Sequence, residues 1–176
     1  GSTTGRQHLR EKRVQNSALS PQHSALPSVL RMKLIGANPD AKVNCLQQLP
    51  GKVNYFLGND SKKWRTNVPT YAKVEYMDVY PGTSLVYYGN QGKLEYDFVV
   101  APGADPKAIQ IAFEGTDKID VDAQGDLVLQ VAGGQIKMHK PLAFQEVDGV
   151  RKEISAAFVI KPKSKLENLN SEVVGF

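Results

Sequence analysis

Apolar and polar residues alternate with a period of two along most of the chain after residue 28. The clearest segment is residues 93–100, which read KLEYDFVV, and residues 29–35, 71–76, 109–113 and 127–131 show the same alternation. Successive side chains of a β-strand point to opposite faces, so this pattern is typical of strands with one buried face.

Turn-forming residues separate these segments at intervals of roughly 8–12 residues. Examples are Pro81-Gly82, Gln124-Gly125-Asp126 and Asp148-Gly149. No segment carries the apolar stripe of a helix over a dozen residues. The sequence therefore predicts an all-β fold, an antiparallel β-sandwich of about ten to twelve short strands over residues 29–161.

The two ends of the chain differ from this β-rich body. Residues 1–28 are rich in Ser and Gln and hold few large apolar residues. They cannot bury enough apolar surface to offset the entropy of ordering, so we expect a disordered or loosely packed arm. We interpret Gly1 and Ser2 as the remnant of an expression tag. Residues 162–176 are expected to be a loosely attached tail.

Charge and composition exclude several functional classes. The net charge is +4, and the first 33 residues carry six Lys or Arg against one Glu, so the body is close to neutral. Nucleic-acid binding is therefore not expected. No run of about 18 apolar residues is present to span a bilayer. The single cysteine, Cys45, rules out an internal disulfide framework and is expected to be a partly buried small residue rather than a nucleophile.

Ordered motifs give the sequence a family resemblance. They are LPGKVNYF at 49–56, WRTNVPTY at 64–71, LVYYG at 85–89, LEYDFVVAPGADP at 94–106 and QEVDG at 145–149. With these motifs, residues 29–160 resemble a bacterial domain of unknown function that lies N-terminal to SBBP-type β-propeller repeats in secreted or cell-surface proteins. The resemblance implies an extracellular or cell-surface location and carries no catalytic residue.

One departure from that family bears on assembly. Similar sequences carry further β-rich sequence ahead of Val29, where this chain has the polar arm. The strand from Val29 to Ile35 is therefore expected to be a sheet edge, with Arg31 and Lys33 pointing outward, and unpaired edges recruit other strands. We expect self-association through this edge, or an arm that folds back and covers the gap.

The resemblance implies a non-enzymatic structural or interaction module that presents or anchors β-propeller repeats or contacts another protein or surface component. The alternative is a carbohydrate-binding module or glycoside hydrolase. Glu95 and Asp97 lie two apart on a strand, about 6–7 Å from each other, which suits a glycosidase carboxylate pair. An open groove lined by Tyr87 or Tyr88 beside both carboxylates would favour that alternative, whereas a solvated strand face would not.

Four acidic residues are the candidates for a metal site: Asp117, Asp120, Asp122 and Asp126. Their spacing does not match a calcium loop, and turn chemistry is their expected role. The three histidines are scattered, so no metal and no cofactor is expected. Ten of the fourteen aromatic residues lie between residues 55 and 98, and their alternation predicts that most of them form the core.

Overall fold

The computed structural model describes residues 6–11, 14–16, 29–161 and 172–176. Almost all regular structure in these residues is β-strand, with two short 3-10 turns at Ser61–Lys63 and Pro106–Ala108. The strands are β1 (Arg6–Glu11), β2 (Val14–Asn16), β3 (Arg31–Leu34), β4 (Lys42–Tyr55), β5 (Arg65–Tyr80), β6 (Thr83–Asn90), β7 (Lys93–Val100), β8 (Ile111–Glu114), β9 (Lys118–Val121), β10 (Leu127–Val131), β11 (Gly134–Met138), β12 (Pro141–Val147), β13 (Val150–Ile154), β14 (Val159–Lys161) and β15 (Val173–Gly175).

The strands form three antiparallel sheets, which confirms the predicted all-β class. A seven-stranded sheet has the order β13-β12-β1-β7-β6-β5-β4. Two four-stranded sheets have the orders β2-β11-β10-β9 and β14-β15-β8-β3. The strand number exceeds the prediction because three-residue strands such as β14 and β15 leave little alternation to detect in the sequence.

One hydrophobic cluster draws buried side chains from all three sheets. Leu85 on β6 and Phe98 on β7 lie directly opposite each other and are 2% and 1% exposed. We call their side of the seven-stranded sheet its inner face. The Phe98 ring lies 6.0 Å from the ring of Phe176, which lies 5.7 Å from that of Phe158. Aromatic contacts therefore join the large sheet to the end of the chain.

The predicted arm, residues 1–28, lies for the most part outside the described residues. Its described segments are β1, paired between β12 and β7, and β2, paired with β11. No helix in the described part of the chain is long and apolar enough to cross a membrane.

The last residues of the chain pack against the core, although the sequence predicted a loosely attached tail over residues 162–176. Val173 and Val174 are 4% and 0% exposed, and their strand pairs with both β14 and β8. The chain returns to the core here because these valines bury apolar surface that the preceding polar sequence does not offer. Residues 162–171 of the predicted tail lie outside the described residues.

The strand that begins the body lies at a sheet edge, as predicted. β3 pairs with β8 on one side and is the last strand of its sheet. Arg31 and Lys33 alternate outward, and both form ion pairs with Glu114 on β8. The hydrogen bond from Lys33, with that from Arg31, lowers the pKa of Glu114.

The β4–β5 hairpin is the longest in the described residues, with strands of 14 and 16 residues. From Gln47 to Tyr55, every β4 residue is exposed, and β4 is the edge of its sheet. Pro50-Gly51 lies inside β4 and does not end the strand. The register of the β4–β5 pairing shifts between Gln48 and Lys52, and the Thr70 hydroxyl donates a hydrogen bond to Gly51 O at 2.7 Å. We call residues 47–72 the ribbon.

Candidate interaction surface

The four residues considered for sugar binding or catalysis lie on two faces of the large sheet. Tyr88 lies opposite Glu95, and Asp97 follows two residues later on β7. Opposed residues of antiparallel strands share a face, so these three share the outer face. Tyr87 lies opposite Tyr96 on the inner face. The structure thus brings Tyr88 to the carboxylates and separates Tyr87 from them.

The outer-face carboxylates are engaged within the protein. Asn90 Nδ2 donates to Glu95 Oε1 at 2.9 Å, and the Tyr88 hydroxyl donates to Asp97 Oδ1 at 3.0 Å. Lys73 Nζ lies 5.1 Å from the centre of the Tyr88 ring. Glu95 is only 5% exposed, so its carboxylate does not lie on a solvated strand face. The reason is that β7 is an interior strand of the sheet.

Two of the acidic candidates for a metal site form a polar cluster with Lys137 and His139. Asp122 Oδ1 accepts the backbone N–H groups of Gln124 and Asp126, while Lys137 Nζ lies 2.6 Å from Asp122 Oδ2. His139 Nδ1 lies 3.2 Å from Asp126 Oδ2. The sequence had left His139 isolated, because its partner is 13 positions away. These contacts build a turn and an ion pair.

The other two acidic candidates lie apart from that cluster. Asp120 forms an exposed ion pair with Lys118 at 2.7 Å, and the backbone N–H of Asp117 donates to Gln130 O on β10 at 2.8 Å. In the described residues, no group of three His, Cys, Asp or Glu side chains is arranged to hold a metal ion. The hydrogen bond from Lys137 lowers the pKa of Asp122, and the same bond raises the pKa of Lys137.

A cavity of about 460 Å³ opens on the inner face, at the base of the β4–β5 hairpin. Its lining is mostly apolar and comprises Leu34, Ala37, Asn38, Pro39, Ala41, Val43, Tyr76, Val79, Leu85 and Tyr87. The rim stays open, since Val43 and Tyr76 are 54% and 37% exposed. The rings of Tyr76 and Tyr87 meet edge to face, with centroids 6.1 Å apart. Burial, and then the neighbouring Tyr76, raises the pKa of Tyr87, so this phenol is neutral at pH 7.

The apolar lining continues from the cavity along the hairpin. The opposed pairs are Val43 with Tyr76, Cys45 with Val74, and Val53 with Val68. Each pair shares a face, and the alternation along β5 places Val68, Val74 and Tyr76 together on the inner face. Cys45 is exposed rather than partly buried as expected, because it lies on β4, the edge strand of the seven-stranded sheet.

The end of the hairpin carries four large exposed side chains. Tyr55, Phe56, Leu57 and Trp64 are 52%, 60%, 65% and 40% exposed. The Phe56 and Trp64 rings meet edge to face at 5.1 Å, and Trp64 Nε1 donates to Gly58 O at 3.1 Å. These contacts hold the end of the hairpin in a defined shape.

We use the term hairpin surface for the inner-face pairs and the end of the hairpin together. It comprises Val43, Cys45, Val53, Tyr55, Phe56, Leu57, Trp64, Val68, Val74 and Tyr76. The sequence did not predict this surface, because the alternation of its aromatic residues indicated that most of them form the core. Tyr80, Tyr96 and Phe98 are buried as expected, but those at the end of the hairpin are not. The sequence did contain one signal of exposure. Tyr55, Phe56 and Trp64 follow the turn-forming pair Pro50-Gly51, and no second apolar segment is at hand to cover them.

Comparison with known proteins identifies a family and no individual relative. No curated protein and no solved structure matches the chain. The profile of one protein family, a domain of unknown function (DUF7948), matches residues 2–176. This match covers nearly the whole sequence, so the chain belongs to the DUF7948 family of domains of unknown function.

Proposed function

We propose that this domain is a non-enzymatic interaction module whose hairpin surface binds another protein. The observation that carries the proposal is the series of apolar side chains along this hairpin. Val43 and Tyr76 are exposed beside the cavity, Val68 and Val74 are half-buried along the strand pair, and Leu57 is exposed at the end. Isolated exposed apolar residues are common, but contiguous ones usually mark interaction sites. Here they follow one hairpin, and both of its strands contribute.

The shape of the hairpin supports the same conclusion. A two-stranded hairpin without a covering layer is only marginally stable in water. Covering its inner face would continue the packing that the other sheets provide for Leu85 and Phe98. A partner laid along the hairpin surface would therefore complete an existing core.

We also propose a location and a setting for this module, from its resemblance to domains that precede SBBP-type β-propeller repeats. The module would lie outside the cell and would present or anchor such repeats, or contact another surface protein. An uncovered β-sheet face next to a repeat array provides a fixed contact without any chemical step.

Photo-crosslinking from Cys45 tests the proposed function. Cys45 is the single cysteine and lies within the hairpin surface, so a benzophenone maleimide places the crosslinker there alone. The labelled protein is returned to the cells that produce it and irradiated. We expect a discrete protein adduct.

The matched control moves the thiol to another exposed site, with Cys45→Ser and Lys107→Cys combined. Lys107 lies in a 3-10 turn away from the hairpin. The same adduct from both proteins, or none from Cys45, would contradict the proposal.

A further inference from the structure

We propose that the hairpin surface binds an acidic protein segment, with an apolar side chain of that segment in the cavity beside Tyr87 and its carboxylates against the end of the hairpin. This inference rests on the proposed function and specifies the chemistry of the partner. Three observations support it: the positive charge at the end of the hairpin, the shape of the cavity, and the distance between these two places.

The end of the hairpin has an excess of unpaired positive charge. Its basic residues are Lys62, Lys63 and Arg65, and its acidic residue is Asp60. Asp60 Oδ1 accepts the backbone N–H of Lys62 at 3.0 Å and begins the 3-10 turn. None of these three cations forms an ion pair within the described part of the chain, so carboxylates of a partner are their natural complement.

The cavity supplies the apolar end of the site. Its volume of about 460 Å³ lies within the range of small-molecule and side-chain pockets, roughly 300–1,000 Å³. Apart from two tyrosines, Asn38 is the one polar residue among the described residues that line the cavity. Interface energy concentrates on large apolar or aromatic side chains that fill such pockets. A Leu, Phe or Trp of the partner is therefore the expected anchor.

The distance between the two ends sets the length of the partner segment. Tyr76 at the cavity and Arg65 near the end of the hairpin are eleven positions apart on β5. At about 3.3 Å per residue, an extended segment must span about 35 Å. Val74 and Val68 lie between them on the inner face. A continuous stretch of about a dozen residues reaches from the anchor to the cations.

Two other occupants fit this surface less well. A bilayer would have to receive the polar apex, residues 58–61, before the apolar side chains behind it, and that apex includes the Asp60 carboxylate. A second copy seated by the same surface offers the same excess of cations and no matching excess of carboxylates. A protein segment laid along the side of the hairpin avoids both costs.

Selection from a phage-displayed library of random fifteen-residue peptides tests the inference on the full chain. We expect enriched peptides that combine a large apolar residue with two or more carboxylates on one side of it. Binding of the enriched peptides to a Lys62→Glu/Lys63→Glu variant should weaken by about ten-fold or more. The matched control, Lys107→Glu/Lys152→Glu, reverses two exposed cations elsewhere and should change binding less than about two-fold.

A second variant tests the cavity separately. Ala41 lines the cavity, and Ala41→Leu fills part of it without adding charge. Peptide binding should fall by about five-fold or more if an anchor enters there. Circular dichroism and the thermal midpoint show whether each variant is folded. If Ala41→Leu does not fold, Val43→Ser at the exposed rim replaces it, with the same expected loss.

The other occupants are tested with the same proteins. Vesicles containing 30% phosphatidylserine, bound by the wild type and not by Lys62→Glu/Lys63→Glu, would overturn the inference in favour of a membrane. A dimer by sedimentation that is lost in Tyr55→Ser would overturn it in favour of a second copy. Enriched peptides without carboxylates, or unaffected by the charge reversal, would refute the acidic segment. Crosslinking from Cys45 depends on no charge, so a discrete protein adduct would uphold the proposed function even where the acidic segment is refuted, whereas vesicle binding without such an adduct would overturn both.

Discussion

The Asp122 carboxylate joins local turn chemistry to a distant strand. One oxygen accepts the backbone N–H groups of Gln124 and Asp126, and the other meets Lys137 on β11. The sequence predicts the turn, since Asp beside Gly favours it. It does not predict Lys137 as a partner, because that contact depends on the register of β10 and β11.

The first prediction concerns the pH dependence of this contact. The lowered pKa of Asp122 means that its stabilising effect is complete above the usual carboxyl pKa and is lost as pH falls through the folded value. Asp122→Asn should lower the urea midpoint at pH 7, and the difference from wild type should shrink toward about pH 2.

The control for this prediction is Asp120→Asn, which removes an exposed ion pair with Lys118. Exposed pairs contribute about 0–1 kcal/mol, so this change should move the urea midpoint little at any pH. Equal losses from the two variants would contradict a special role for Asp122.

The second prediction compares two glycines with similar backbones and different surroundings. Gly115 and Gly133 have φ of +89° and +93°, in the region that favours glycine. A Cβ at Gly133 meets open space, whereas one at Gly115 would overlap the carbonyl oxygen of Val29. Gly133→Ala should cost about 1–2 kcal/mol. Gly115→Ala should cost clearly more, and thermal unfolding of both variants measures the difference. Equal costs would show that the segment at Val29 moves aside.

At the scale of elements, alternation predicts strands that have one covered face. Residues 93–100 form β7 as predicted, and β3 lies at the edge that the sequence indicated. β15 was not predicted, because a strand of three residues shows too little alternation. Its position depends on pairing with β14 and with β8, which is distant in the sequence. The exposure of the ribbon was not predicted, because apolar residues in a strand suggest a buried face. In the described residues, the β4 part of the ribbon is exposed.

The third prediction tests whether β15 is part of the core. Val174 on β15 and Val159 on β14 belong to paired strands and are 0% and 50% exposed. Val174→Ala should destabilise the fold by about 2 kcal/mol, from two buried carbon groups and the cavity left behind. Val159→Ala should cost less than about 0.5 kcal/mol. Similar thermal midpoints for both variants would restore the prediction of a loose tail.

At the scale of the whole molecule, the residues that stabilise the fold lie in the buried core, whereas the residues proposed to bind a partner lie on the hairpin surface. Alternation correctly placed Glu95 and Asp97 on one face of β7. It could not show that β7 is an interior strand, because strand order is a property of the complete sheet. The described residues leave the inner face of the β4–β5 hairpin uncovered beyond the cavity, and this too is visible only after all three sheets are assembled.

The fourth prediction is that the ribbon is dispensable for the fold. Gln48 and Tyr71 lie opposite each other, so residues 49–70 can be replaced by Asn-Gly, which forms a tight two-residue hairpin turn. We expect a thermal midpoint within about 3 °C of wild type. A fall of more than about 10 °C would show that the ribbon supports the body.

The most direct test of the account measures crosslinking from Cys45 after the far end of the hairpin is changed. Phe56→Ser/Leu57→Ser removes two exposed apolar side chains and leaves Cys45 untouched. If the hairpin surface is one binding site, the yield of the Cys45 adduct falls by about ten-fold while the thermal midpoint stays within about 2 °C. An undiminished yield in the folded variant would show that the exposed end of the hairpin and the cavity region do not serve one partner.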